Sequence, residues 1–384
     1  MTGIGLKVLF LPGAEGGCSY VRSELPARAL VRRGWQAKVG YETTWGELAQ
    51  QDVVVFQRQP EKIVRQIADY CRLRGVATVF DIDDSAQGIG PDNPNYFWWG
   101  RDKRAHARVF NGMRESLPYA MRQLDAPAAF EKAQDMLAGL YSNMRACTTI
   151  TVSTEPLRAE YGRFGPCVVL PNGVDMADWD IPRPQVDEKV RLCLAGSKTH
   201  LADWRVATPG ILQILEEEPQ VELVIVGFPE ARELLFAGHP RVATVEWQDV
   251  RGYRAYVALC DIGLAPVFDS PFNRAKSDLK YLEYSALGLP TVASPACYAD
   301  TIRHGETGFI AKNTKDWIAI LRRLVRDGDL RARVGQAARS YVERERQYDR
   351  AVVRWEAAYQ QAIKAARRMW DEPALEVAME AVAV

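Results

Sequence analysis

The sequence predicts an α/β protein of two doubly wound parallel-sheet lobes, and three observations carry that prediction. The chain has 384 residues, more than one ordinary domain holds. Short apolar runs alternate with longer amphipathic stretches, as expected for parallel strands joined by helical crossovers. The alternation stops at a stretch rich in proline and charge, Trp179–Lys189, and then starts again. That stretch reads as a linker, and each half as a Rossmann-like lobe. The expected organisation is an N-terminal lobe over 1–178 with a helical and loop insert at 85–145, the linker at 179–189, and a C-terminal lobe over 190–345. A helix at 346–370, free to return to the N-terminal lobe, and a tail at 371–384 complete it.

In the first half, Lys7–Leu11 reads as a strand that runs into the turn Gly13-Ala-Glu-Gly-Gly17. A helix from Tyr20 to Arg33 follows and stops at Gly34. Strand Val53–Phe56, helix Glu61–Arg74 and strand Val76–Ile82 come next, the last running into Asp83-Asp84. Between Ser85 and Arg145 the rhythm breaks into an irregular loop, Asp92 to Gly100, and a long helical region; inserts of this size cover or line sites. Strand Thr148–Val152 leads into Ser153-Thr154-Glu155-Pro156, a hydroxyl cap, an acid and an early proline that open a helix. Cys167–Leu170 is the fifth strand.

The second half gives strand Arg191–Ala195, helix Ala202–Glu217, strands Val221–Val226 and Val242–Glu246, and helix Arg251–Leu259. Strand Ile262–Ala265, helix Asp278–Leu287 and strand Thr291–Ala293 follow. Helices Lys315–Arg326, Asp329–Glu345 and Tyr348–Met369 close the pattern.

Composition narrows the functional classes. The chain is 47% hydrophobic and 26% charged, with 49 basic against 49 acidic residues, so no global field draws it to nucleic acid or an anionic membrane. Seven cysteines lie far apart with no Cys-x-x-Cys pair, which reads as buried reduced thiols and not as a disulfide framework or zinc site. The start, Met-Thr-Gly-Ile-Gly-Leu-Lys, leads straight into a strand and shows no signal peptide. No apolar run reaches the roughly 18 residues a bilayer demands. A cytoplasmic protein, soluble or at most peripheral to a membrane, is expected. Nothing in the sequence speaks to oligomeric state.

Ligands of open α/β sheets bind beyond the carboxyl ends of the strands, often at a helix N-terminus, and two lobes face to face would leave an interdomain cleft there. Lys276–Ser294 is the strongest candidate segment. Ser277 suits an N-cap, Gly288 suits C′ and Pro290 blocks continuation, so a short helix is well delimited. Its N-terminus, with Lys276 beside it and Lys280 on its first turn, is a seat for a diphosphate. Glu283 lies five residues beyond Asp278, about 7 Å along the axis, a reach from a β-phosphate to a ribose whose hydroxyls a carboxylate accepts. The bland alternative is a solvated helix with an incidental i,i+3 Lys–Glu pair.

Several strings resemble one family. Lys280-Tyr-Leu-Glu283-Tyr-Ser-Ala-Leu-Gly288-Leu-Pro290-Thr-Val-Ala-Ser294, followed by Gly305-Glu-Thr-Gly308-Phe-Ile, is similar to the C-terminal signature of the family 4 (group 1) retaining glycosyltransferases of GT-B architecture. Pro171-Asn172-Gly173-Val174-Asp175 resembles the segment before that family's linker, and Leu194-Ala-Gly196-Ser197 the first strand and turn of its donor lobe. The resemblance implies a UDP-, GDP- or ADP-sugar as donor substrate, no cofactor and no obligatory metal. Together with the helix-terminus reading it places Gly196, Ser197, Lys198, His200, Ser277, Asp278, Leu279 and Lys280 around the donor and gives catalytic weight to Lys276 and Glu283. Gly17, in the glycine pair to which the first strand delivers the chain, lets a phosphate or acceptor approach the backbone, a plain turn being the alternative. Two departures stand out. The family's glutamates are separated by seven residues; Glu283 matches the second, but the first position is Ala275. Its arginine and lysine after the donor-lobe glycine are replaced by Ser197-Lys198-Thr199-His200, where Lys198 or His200 can substitute and Lys276 can share the task. Of the four histidines only His200, in that turn, is a site candidate.

If the chemistry is retaining, the acceptor attacks from the face the leaving diphosphate vacates. Lys276, Lys198 and the helix dipole would then stabilise the leaving charge. On the acceptor side, Arg22 and Arg58 fall near strand ends where arginine can clamp an anion. Asp81-Ile-Asp83-Asp84 clusters carboxylates that raise one another's pKa, which suits one of them, Asp84, to act as base on an acceptor hydroxyl; a structural cap on the next loop is the alternative. Asp-x-Asp is also the metal motif of the other major glycosyltransferase architecture, a reading that the two-lobed pattern disfavours. Trp98 and Trp99, among basic residues, can stack on a sugar, a lipid headgroup or an extruded nucleic-acid base, or two of these aromatics simply pin the loop to the core. A glycan, lipid-linked sugar, small molecule or modified nucleic-acid base all fit as acceptor. The competing readings are a non-catalytic GT-B-like binding or scaffold protein and, more weakly, a sugar-nucleotide epimerase of the same fold.

Overall fold

The computed structural model describes residues 5–183 and 187–370. The tail 371–384 and residues 184–186 of the expected linker lie outside them. The chain divides into two compact units. Among the described residues the first comprises 5–87, 97–171 and 348–370, and the second 88–96, 172–183 and 187–347.

The first unit holds a six-stranded sheet of β1 (Lys7–Pro12), β2 (Gln36–Val39), β3 (Val53–Gln57), β4 (Ala77–Ile82), β5 (Thr149–Val152) and β6 (Cys167–Val169). Their order is β2-β1-β3-β4-β5-β6, and every pair is parallel. The inner strands are apolar without a break because both faces are covered: Val8 through Phe10 and Val53 through Phe56 have no exposed surface. One face packs on the helix Leu25–Arg32 and on the last helix, Tyr348–Trp370, whose Trp355, Tyr359 and Ile363 join Val8, Phe10, Val53 and Val79 in one core.

The second unit repeats the plan with β7 (Val190–Ala195), β8 (Val221–Val226), β9 (Val242–Val245), β10 (Ile262–Ala265), β11 (Thr291–Ala293) and β12 (Phe309–Ile310), again all parallel and ordered β12-β11-β10-β7-β8-β9. Its core joins Leu192, Leu194, Leu223 and Leu264 to Ile211, Trp317 and Leu321 on the covering helices. Strand order reverses between β7 and β10 here and between β1 and β3 in the first unit. Those reversals open a crevice at the carboxyl edge of each sheet. Two six-stranded parallel sheets with crossover helices match the expected fold class.

The departures from the sequence reading have local causes. Strands β2 and β12 were not anticipated: β2 is an edge strand whose Gln36 and Lys38 are exposed, and β12 has only two residues. The expected helix Ala202–Glu217 is two helices, Leu201–Trp204 and Thr208–Glu217, the second started by Pro209. The expected loop before Gly100 contains a helical turn, Tyr96–Trp99. No helix among the described residues is long and apolar enough to cross a membrane.

The first unit corrects one site expectation. Arg22, read as an acceptor-side clamp, lies on a wide π turn, Tyr20–Glu24, with no exposed surface. Its Nε and Nη2 donate to the two oxygens of Asp81 at 3.0 and 2.6 Å, and Nη1 donates to Leu170 O at 2.6 Å. The guanidinium lies 4.7 Å from the ring of Trp355, and Thr151 Oγ1 donates to Asp81 Oδ2 at 2.7 Å. Arg22 thus ties the first crossover, β4, β5, the end of β6 and the last helix, and is unavailable to a ligand. Arg22→Met strands a fully buried carboxylate and should cost about 3–5 kcal/mol in urea unfolding, whereas Arg22→Met with Asp81→Leu should recover most of it; equal losses in both would contradict a paired-charge role.

Candidate functional site

The crevice beside β7 and β10 gathers the chemistry of the second unit. Strand β7 ends at Ala195, and the chain turns through Gly196 into the 3-10 turn Lys198–His200, capped by Ser197, whose hydroxyl oxygen accepts from Thr199 N. A Cβ on Gly196 would lie 2.8 Å from His200 Cδ2 and 3.2 Å from Trp204 Cζ2, so a glycine is what lets the imidazole lie against the strand end. The ring also stacks near-parallel on Trp204, 6.5 Å between centroids at 12°.

Asp203, 2% exposed, is the hub. His200 Nδ1 lies 3.1 Å and Lys276 Nζ 3.2 Å from Oδ2, while Asn273 Nδ2 at 2.6 Å and Phe268 N at 3.4 Å donate to Oδ1. Burial pushes this carboxyl's pKa up, but the His200 hydrogen bond, the Lys276 charge and the Asn273 hydrogen bond outweigh it and hold the pKa below the usual range. Burial first, and then the Lys276 charge, lower the His200 pKa against the pull of Asp203. Asn273 is placed by the helix Pro271–Ala275, capped by Ser270, whose Oγ accepts from Asn273 N. Lys276 follows that helix at once, its ammonium 5.0 Å from the ring of Phe272.

The helix Leu279–Ala286 carries the second group. Lys280 Nζ donates to Glu283 Oε2 at 2.9 Å and to Tyr253 OH at 3.0 Å, and Tyr253 OH donates to the same Oε2 at 2.7 Å. Glu283 Oε1 takes neither contact. Burial and the Glu283 charge raise the Tyr253 pKa well above its usual value, so the phenol keeps its proton. The helix is seated by Tyr284, which packs so closely on Gly263 that a Cβ there would come within 2.3 Å. Gly288, at C′ with φ 71°, ends it as expected.

The helix start differs from expectation. Asp278, not Ser277, is the N-cap residue, and its side chain makes no capping bond. Arg346 grips its two oxygens at 2.6 and 2.8 Å, and Thr301 Oγ1 donates to Oδ2 at 2.8 Å. Asp278, a residue expected around the donor, thus spends its carboxylate as a structural anchor. Ser277 Oγ accepts from Asn172 Nδ2 at 2.8 Å, and Arg346 also donates to Asn172 O. The Pro171-Asn172-Gly173 string therefore buttresses this helix start. Lys198 is exposed and Leu279 half-buried; Ala275, at 4% exposure, puts no carboxylate where the signature has one.

In the first unit, the crevice beside β1 and β3 holds Arg58, a non-glycine residue at φ 54°, a costly conformation that marks a constrained position. Its Nη1 lies 3.0 Å from Asp84 Oδ2, 3.6 Å from Asp83 Oδ1 and 3.5 Å from Cys18 Sγ, and its guanidinium sits 5.1 Å from the ring centre of Trp99. Asp83 Oδ1 is buried without a hydrogen bond. Arg58, Asp83, Asp84 and Trp99 are thus brought together. Trp98 instead packs edge-on against the fully buried Phe97, and Gly17 is exposed in the turn. Sequence reasoning missed Asp203, Asn273, Tyr253 and Arg346. Only Asp203 carried a signal, three residues after His200 on the short helix that follows that turn.

Residues 192–327 match the family model described as "Glycosyl transferases group 1". Sulfoquinovosyl transferase SQD2 of Arabidopsis thaliana is 30% identical over 154 residues, 38% of this chain and 28% of that protein; the match spans little more than a quarter of that relative's length. Among solved structures, HepE of Anabaena in complex with UDP superposes with a TM-score of 0.60 at 13% identity, covering 93% of this chain and all of that one. Sucrose-phosphate synthase of Thermosynechococcus elongatus does so with a TM-score of 0.58 at 13% identity, covering 94% and 100%. At such identities the structural likeness establishes the fold.

Asp278→Ala frees Arg346 and loosens the helix start. It should lower stability by about 2–3 kcal/mol in chemical denaturation, given the partial burial of the pair; a change below about 0.5 kcal/mol would show the anchor to be idle.

Proposed function

We propose that this chain, a protein of GT-B fold with a group 1 glycosyltransferase domain in its C-terminal lobe, transfers a sugar from a nucleotide-sugar donor to an acceptor hydroxyl with retention of anomeric configuration. The observation that carries the reading is the crevice beside β7 and β10. There Lys276, held by Asp203, and the Lys280–Glu283–Tyr253 group flank the start of one helix within the segment matched to the family.

The free N–H groups at the start of Leu279–Ala286 and the Lys276 ammonium give a diphosphate positive potential. Charge that builds on the leaving diphosphate is stabilised there, and this electrostatic term supplies most of the acceleration. Lys280 and Tyr253 orient Glu283 through Oε2, leaving Oε1 to accept a ribose hydroxyl. The retaining course needs no protein nucleophile, because the acceptor hydroxyl can pass its proton to the departing phosphate oxygen. Arg58, Asp83, Asp84 and Trp99 are the groups of the N-terminal lobe suited to an acceptor: a cation, two carboxylates and an aromatic face.

Nucleotide release measured across UDP-, GDP- and ADP-sugars should show slow turnover of one donor, and turnover should persist within about twofold in excess EDTA. Glu283→Ala should raise KM about tenfold, the worth of one charged hydrogen bond, while Lys276→Ala should lower kcat about a hundredfold. Donor binding without turnover on any acceptor would favour a non-catalytic binding protein, the reading that Ala275 invites. No binding and no turnover with any donor would sink the proposal, and unchanged kinetics in both variants would refute the site.

A further inference from the structure

His200 stands in the turn where the family signature carries its basic contacts, yet its imidazole is not arranged as one. Its Nδ1 is 3.1 Å from Asp203 Oδ2, so in either charge state that nitrogen carries a proton and donates it. The ring is set by its neighbours: Cδ2 lies where any side chain at Gly196 would begin, Trp204 stacks on one face, and Asp203 holds Nδ1. Asp203 is itself fixed by Asn273 and the backbone of Phe268. The same carboxylate oxygen takes Lys276 Nζ at 3.2 Å. Two groups of opposite hydrogen-bonding character are therefore set by one buried acid.

We infer that Asp203 is a positioning residue that makes His200 a donor-specificity residue: with Nδ1–H tied to Asp203, His200 Nε2 presents its lone pair and accepts a hydroxyl of the donor's sugar, while Lys276 and the helix start answer the diphosphate. This rests on the glycosyltransferase reading above and deepens it. The His200 side chain keeps 27% of its surface, so the ring is reachable. The charged groups facing it are Asp203, Lys276 and Lys280. Two cations against one carboxylate, together with burial, favour the neutral ring, in agreement with its lowered pKa. A neutral acceptor nitrogen repels phosphate oxygens and attracts a hydroxyl. Glu283 already supplies an acceptor for the ribose, so the sugar's hydroxyls are the remaining partners. Specificity of this kind is strong, because a sugar lacking the hydroxyl leaves a fixed acceptor unpaired.

Two measurements test it. In 15N-histidine NMR of the full chain, with His200→Phe to assign the signal, His200 should be neutral at pH 7 with Nδ1 protonated and Nε2 bare; an Nε2–H tautomer or an imidazolium at pH 7 would overturn the proposal. In calorimetry with UDP, GDP and ADP against their glucose and mannose conjugates, His200→Phe, which keeps the stack on Trp204, should weaken the preferred nucleotide sugar about tenfold. It should leave the matching nucleoside diphosphate within twofold. Lys276→Met should weaken both. An equal loss of nucleotide sugar and nucleoside diphosphate in His200→Phe would overturn the proposal while leaving the glycosyltransferase reading intact. Absence of any nucleotide-sugar binding by the wild-type chain would sink both, whatever tautomer the spectrum shows.

Discussion

One buried carboxylate, Asp203, determines what the carboxyl edge of the second sheet can present. It accepts from the turn after β7, from the loop after β10 and from the segment around Lys276, so the two sides of the strand-order reversal are joined at a single residue. A carboxylate at 2% exposure is tolerable only because its oxygens are saturated with donors. The same saturation orients those donors. An ammonium and an imidazole that would otherwise sample many rotamers are held in place before any ligand arrives, which is the condition for electrostatic preorganisation.

The first unit shows the same device used for a different end. Arg22 and Asp81 form a pair with no exposed surface, braced by Leu170 O, Thr151 and the ring of Trp355. Nothing in that pair is left over for a ligand. It fixes the last helix against the sheet, and through Tyr348, whose hydroxyl donates to Val21 O at 2.6 Å, it fixes the wide turn that carries Arg22 itself. Arg58, one strand away, is half-buried, strained at φ 54° and only partly matched by Asp83 and Asp84. Burial and saturation are what separate the structural arginine from the candidate one.

The fold was largely legible because both inner sheets are written as continuous apolar runs, such as Val53–Phe56 and Ile262–Ala265, and because glycines such as Gly34 and Gly288 stop the helices where periodicity ends. The missed strands were those without such runs, the half-exposed edge Gln36–Val39 and the two-residue Phe309–Ile310. For the site, Lys276, Lys280 and Glu283 could be read from helix signals joined to the family resemblance, and His200 from the resemblance of its turn. Arg22 could not be judged, since an arginine near a strand end looks the same whether it faces solvent or an acid 59 residues away. Asp278 was misread for the same reason: Arg346, which neutralises it, is 68 positions distant. Long-range ion pairs leave no local pattern, and Tyr253 was hidden likewise, on a helix that shares no motif with Glu283.

The proposed activity requires a nucleotide sugar to bind at the carboxyl edge of the second sheet. Hydrogen–deuterium exchange with and without the nucleotide sugar that most raises the thermal midpoint tests it most directly. Added protection is expected in the segment 196–204 and in the segment 273–283, which holds Lys276, Lys280 and Glu283. Protection confined to other segments, or none with any nucleotide sugar at saturating concentration, would contradict it.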